Sequence, residues 1–162
     1  MTNPPDFLEI LKILTEHGVD YIVVGGVCAV LHGAPVATFD LDLVHCRSPE
    51  NLERLLLGLK DLDAYYRGRG DQRLMPGLSH LSSPGHQLLM TKFGPLDLLG
   101  TIGIAHSYED LLQHTIELEA SGLRLCILDL KTLIEVKKET VSNKDRAIIP
   151  ILERTLEEKL KQ

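Results

Sequence analysis

Between Phe7 and Leu14 the apolar residues Phe7, Ile10, Leu11 and Leu14 recur at helical spacing behind Asp6, a carboxylate placed to cap the first turn. Gly18 ends that predicted helix. "YIVVGG" then reads as a short β-rich run closed by Gly25 and Gly26, and "VCAVLH" as a helix that begins where the strand stops and breaks at Gly33 and Pro35. In "TFDLDLVH" the alternation is strict: Phe39, Leu41 and Leu43 face one way, Asp40 and Asp42 the other. "SPENLERLLLGLKDL" returns to helical spacing, with Ser48 as its cap and Pro49 at the first helical position.

Periodicity weakens from Arg67 to Gly85, where Gly, Pro, Ser and Arg crowd together, and a long loop with one short strand inside it is predicted. "HQLLMTKF" and "PLDLLGTI" follow as two strands joined through Gly94-Pro95, and "HTIELEASGLRLCIL" as a hairpin turning at Ser121-Gly122. "DLKTLIEVKKETV" and "DRAIIPILERTLEEKL" close the chain as helices.

Composition fits this pattern. A chain of 162 residues, 44% hydrophobic and 25% charged, has the make-up of one globular domain, with residues 1–128 as an α/β core and 129–162 as C-terminal helices. A formal net charge of −6 excludes the overall basic footprint of a nucleic-acid-bound protein, so any such contact must be local. Cys28, Cys46 and Cys126 are odd in number and lack C-x-x-C spacing, which argues against a disulfide framework or a structural zinc site. The N-terminus has no basic n-region and no apolar run approaches the roughly 20 residues that span a bilayer, so a cytoplasmic location without membrane contact is expected.

The candidate chemistry lies in three aspartates. Asp40 and Asp42 share a strand face, and Asp97 sits in "PLDLLG" with Leu96 and Leu98 turned the other way, so three carboxylates could converge. Converging carboxylates raise one another's pKa unless a cation neutralises them, and hard oxygen ligands select Mg²⁺ or Mn²⁺. Gly25-Gly26 lets backbone N–H groups approach an anion where strand turns into helix. Glycines, aspartates and metal together are the parts of a phosphoryl or nucleotidyl transfer site.

The order "GG", a short helix ending "HG", "TxDxD" and a later strand with one further Asp resembles the polymerase-beta-like nucleotidyltransferase superfamily, and within it the minimal prokaryotic members near the abortive-infection nucleotidyltransferase toxins. The resemblance implies an α/β (α+β) nucleotidyltransferase fold, a mixed β-sheet flanked by helices, with a helical C-terminus. It also implies that Asp40, Asp42 and Asp97 hold Mg²⁺ or Mn²⁺, that Gly25 and Gly26 cradle a nucleoside triphosphate, and that Thr38 fits the family's position two residues before Asp40. "LIEVKKETVSNKD" is similar to the family's C-terminal pattern, which places Lys137, Lys144 and Asp145 near phosphates or acceptor. An acceptor hydroxyl on RNA, protein or a small molecule is compatible with the resemblance, and an antitoxin or a second copy of the chain is an implied partner.

Two residues depart from the pattern. Val27 stands where many relatives carry a small polar residue after the glycines, and Val36 where many carry an Arg. Both support an alternative, an inactive module of the same fold that binds a nucleotide or a partner, against which three retained carboxylates count. "DLDLV" also matches the D-x-D-x-[TV] signature of haloacid-dehalogenase-like phosphatases, but a "GG" strand precedes it and no paired acids follow a later strand. His32 reads as a helix-end residue, since no histidine stands at metal spacing from it. Arg67, Arg69 and Arg73 beside two tyrosines form either a nucleotide clamp or a solvated loop, and Lys137, Lys138 and Lys144 either a phosphate contact or the wet face of a helix.

Overall fold

Three of the longer helices begin at a capping side chain, two of them, Asp6 and Ser48, marked as caps by the sequence. Asp6 accepts from the Glu9 N–H at 3.2 Å to start α1 (Phe7–Glu16), Ser48 from the Asn51 N–H at 3.2 Å to start α3 (Pro49–Asp61), and Asp129 from the Thr132 N–H at 2.7 Å to start α6 (Leu130–Glu139). Between them lie α2 (Gly25–Leu31), α4 (Leu78–Leu81) and α5 (Tyr108–Leu111), and α7 (Asn143–Leu160) ends the chain. The computed structural model describes residues 4–140 and 143–162, with the backbone alone at 143–145.

The strands β1 (Tyr21–Val24), β2 (Leu41–His45), β3 (Tyr65–Tyr66), β4 (His86–Thr91), β5 (Gly94–Leu99), β8 (Thr115–Ala120) and β9 (Leu123–Leu128) form one mixed seven-stranded sheet. Its order is β3-β4-β5-β2-β1-β9-β8, and a separate two-stranded ribbon joins β6 (Thr101–Ile102) to β7 (His106–Ser107). The central strands β1 and β2 run antiparallel, while β2 with β5 and β1 with β9 run parallel. Ile22, Leu41, Leu43, Leu96 and Leu98 are wholly buried at the middle of this sheet, which puts the core beneath the aspartate-bearing strands. A doubly wound parallel sheet, which the phosphatase reading requires, is not what these strands build.

Three boundaries differ from the sequence expectation. Strand β2 begins at Leu41, because the Thr38 hydroxyl donates to the Asp40 carbonyl at 3.0 Å and bends the chain there. Phe39 therefore leaves the core face and is 76% exposed. The segment from Arg67 to Gly85 holds the helix α4 rather than a strand, since Leu81 is buried and its carbonyl meets the His45 ring at 2.7 Å. The turn between β4 and β5 falls at Lys92-Phe93, tied by the Thr91 hydroxyl donating to the Gly94 carbonyl at 2.8 Å, so Gly94 and Pro95 lie inside β5. The Ser121-Gly122 hairpin forms as expected, with both residues at positive φ. His32 caps α2, its ring bonded to the Leu128 carbonyl at 2.8 Å.

Asn51 fixes the edge of the core next to β1. It is fully buried, accepts from the Asp20 N–H at 2.7 Å, and donates to the carbonyls of Asp20 at 3.1 Å and Cys46 at 2.6 Å. Asn51→Leu strands the Asp20 N–H and the Cys46 carbonyl, while the Asp20 carbonyl keeps the Cys46 N–H at 3.2 Å, and it is expected to cost about 2–4 kcal/mol, read as a drop in the urea midpoint with unchanged slope. A cost below the error of that measurement would show that water replaces the amide.

Candidate active site

The site grows from the end of β1. Val24 pairs across the sheet with Asp42, and the chain then turns directly into α2 at Gly25. Gly25 has φ +69°, and a Cβ there would overlap the Asp42 carboxylate. At Gly26 a Cβ would come within 2.7 Å of Thr38 Oγ1. The two glycines thus leave the room that Asp42 and Thr38 occupy.

Asp42 and Asp97 face each other in the parallel register of β2 and β5, and Asp40 reaches the same point from the bend before β2. One oxygen of each carboxylate lies within 4.8 Å of the others. Asp97 is buried, and the other two are half-buried. Burial, then the charges of Asp40 and Asp97 and a hydrogen bond given to Asp97, push Asp42 up to about 8, with Lys137 opposing the rise. Burial also raises Asp97, against the pull of Arg67, whose Nη2 lies 2.8 Å from Asp97 Oδ1.

Asp42 Oδ1 stays buried without a hydrogen-bond partner among the described residues, while Asp97 Oδ1 has the Arg67 guanidinium beside it. A buried oxygen without a partner is costly, and a cation held between the carboxylates would satisfy it. Three convergent carboxylate oxygens with no nitrogen or sulfur donor among them fit a hard divalent ion such as Mg²⁺ or Mn²⁺.

Two clefts meet at Asp42. One, about 290 Å³, lies between Gly25, Gly26, Thr38, Phe39 and Asp40. The other, about 410 Å³, runs from His86 and Leu99 to Leu133 and Val136 on α6. Lys137 lines both. The structure therefore brings Asp40, Asp42, Asp97, Gly25, Gly26, Thr38 and Lys137 to one place. The side chains of Lys144 and Asp145 lie outside the described residues. Val27 is buried in the core and Val36 packs against it, so both departures from the family pattern serve packing.

Sequence reasoning missed two features. Arg67 belongs to the carboxylate group through Asp97, although its neighbours in sequence mark it only as part of a basic loop. Phe39 borders the glycine cleft instead of the core. A two-residue strand, β3, ends just before Arg67, and its pairing with β4 was the one signal that would have put Arg67 beside β5.

The chain adopts the nucleotidyltransferase fold, a mixed sheet flanked by helices. No known family profile and no curated protein sequence matches it. Among solved structures it is similar to the lincomycin-bound lincosamide antibiotic adenylyltransferase, with TM-score 0.61 at 12% identity, over 93% of this chain and 98% of that one. It is also similar to a Thermotoga maritima protein assigned as a nucleotidyltransferase, with TM-score 0.58 at 15% identity, over 98% and 96% of the two chains. A third is the antibiotic-resistance factor ANT(2'')-Ia in complex with adenylyl-2''-tobramycin, with TM-score 0.57 at 14% identity, over 96% and 90%.

Proposed function

We propose that this chain is a metal-dependent nucleotidyltransferase that moves a nucleoside monophosphate from a nucleoside triphosphate to a hydroxyl on a small molecule. The observation that carries the reading is the convergence of three carboxylates, one of them, Asp42, with an orphaned buried oxygen, beside a double-glycine turn. The fold supports it, because the similar structures include two antibiotic-modifying proteins of nearly this length.

Asp40, Asp42 and Asp97 would hold Mg²⁺ or Mn²⁺, which when bound supplies the positive charge that offsets the phosphates. Gly25 and Gly26 would let backbone N–H groups approach the triphosphate, with Thr38 beside them and Lys137 as a counter-charge from α6. Asp97, its pKa raised by burial, is suited to receive the acceptor proton. The acceptor oxygen bonds to the α-phosphorus as the bond from that phosphorus to the bridging oxygen breaks, and pyrophosphate leaves with the electron pair. The hydroxyl proton passes to Asp97.

A small-molecule acceptor is favoured over RNA by the net charge of −6. It is favoured over a protein by the clefts of about 290 and 410 Å³ at Asp42, which are of ligand size. Residues 129–162 share in the site through Lys137, so the chain acts as one unit in this reading. Among the described residues no helix is long and apolar enough to cross a membrane.

Calorimetric titration of the four nucleoside triphosphates with and without Mg²⁺ tests the reading. Binding of at least one, only with metal, is expected. Well-folded protein that binds none of them at millimolar concentration would leave the inactive module, for which the buried Val27 is the specific support.

A further inference from the structure

We infer that the acceptor carries an oxyanion, a carboxylate or a phosphate, on an apolar body, and that it binds in the cleft on the Asp97 side of the carboxylate group. This rests on the transferase reading and narrows its substrate class. The cleft measures about 430 Å³ and four nitrogen bases line it: Arg67, Arg69, His80 and His86. Among the described residues no carboxylate lines it, in a chain with 23 acidic residues and a net charge of −6. Beside Tyr66 and Gln87 the wall carries an apolar part, Leu74, Met75 and Leu88, exposed by 46%, 50% and 46%.

Two connections join this cleft to the carboxylates. A row of neighbours crosses the sheet: the Arg67 N–H donates to the Leu88 carbonyl at 3.0 Å, Leu88 stands opposite Asp97, and Asp97 opposite Asp42. His86 lines both this cleft and the cleft that holds Asp42. A hydroxyl presented to Asp97 from this side leaves the rest of its molecule among the bases. The triphosphate, on the glycine side of Asp42, does not compete for that space.

The charges select the ligand. Arg67 already reaches Asp97 with one guanidinium nitrogen and the Leu89 carbonyl, at 2.7 Å, with the other. Arg69 is exposed at the cleft and offers a planar fork suited to carboxylate or phosphate. The apolar wall gives area to an alkyl or aromatic body. A cationic acceptor would meet the Arg69 guanidinium with no carboxylate beside it on the described cleft wall, which discriminates against it. The oxyanion takes no part in the transfer and stays intact; the hydroxyl alone is modified.

The test uses the full chain with Mg²⁺ and a non-hydrolysable ATP analogue. The probes are a hydroxyalkyl benzoate, a hydroxyalkyl phenylphosphate, and the neutral amide and benzylammonium analogues of the same body. Calorimetry and methyl NMR are expected to show an oxyanion probe binding at least about tenfold more tightly than the ammonium analogue and shifting the Met75 and Leu88 methyl signals. Arg69→Glu is expected to weaken that binding about tenfold or more while the ATP analogue binds as before. Equal or tighter binding of the ammonium probe, oxyanion binding unchanged in Arg69→Glu, or no oxyanion binding by protein that holds the ATP analogue would overturn the inference. If the oxyanion probes bind as expected but none of the four nucleoside triphosphates binds with Mg²⁺, the transferase reading fails and the anion site alone stands.

Discussion

Asp42→Asn is expected to abolish Mg²⁺-dependent binding of a nucleoside triphosphate and to lower any turnover by about a thousandfold or more, roughly 4 kcal/mol of lost transition-state stabilisation. The same substitution is expected to stabilise the metal-free protein at neutral to mildly alkaline pH. Asp42 in the folded chain titrates near 8, far above the value of about 3.9 for an unfolded aspartate, so the folded state holds a proton that the unfolded state releases. The sign follows from that difference. The stability contributed by protonated Asp42 is complete below about pH 4 and is lost as pH rises toward about 8. An asparagine never ionises and escapes that loss, and each kcal/mol regained raises the melting temperature of a chain this size by about 2–4 °C.

The measurement is a pair of melting curves from pH 4 to pH 8, wild type against Asp42→Asn, with and without Mg²⁺. The wild-type curve should fall relative to the variant as pH rises, and Mg²⁺ should lift the wild type only. Parallel curves without metal would falsify the strained carboxylate group. Metal-dependent triphosphate binding that survives in the variant would remove Asp42 from the site.

The second large effect is at Gly25. Alanine there meets two penalties at once: φ of +69°, and a Cβ that overlaps the Asp42 carboxylate. Together they are expected to cost about 2–5 kcal/mol, the backbone share near 1–2 and the overlap the rest. Gly68 supplies the control. Its φ is +78° but nothing lies within 4 Å of its added Cβ, so Gly68→Ala should lose only the backbone share. Chemical denaturation of both variants separates the two contributions. Because Asp42 must move to admit the methyl group, Gly25→Ala should also weaken metal binding where Gly68→Ala does not. Equal losses in the two variants would mean that Asp42 shifts aside at little cost, and the close fit of glycine to carboxylate would carry no function.

Much of the fold was legible because its signals are local. A side-chain oxygen three residues before a backbone N–H caps a helix wherever it occurs, and Asp6, Ser48 and Asp129 do so here. The Ser121-Gly122 turn and the Leu41–Leu43 alternation are equally local. Phe39 defeated the same logic because one hydroxyl, Thr38 Oγ1, bent the chain ahead of the strand. Nothing in the period of two foretells a side-chain bond that ends it. Helix α4 was missed for the related reason that burial of one leucine, Leu81, under distant strands outweighs four residues of weak helical pattern.

The sequence by itself determined which groups were available: three aspartates alternating with apolar residues in two segments, two glycines after the first strand, and lysines on a late helix. Tertiary structure decided that Asp42 stands opposite Asp97, because the parallel pairing of β2 with β5 sets that register and strands distant in sequence share no local signal for it. It also decided that Arg67 pairs with Asp97 and that a basic cleft opens beside the acidic group. Charges act through space, and their distances exist only once the sheet has closed.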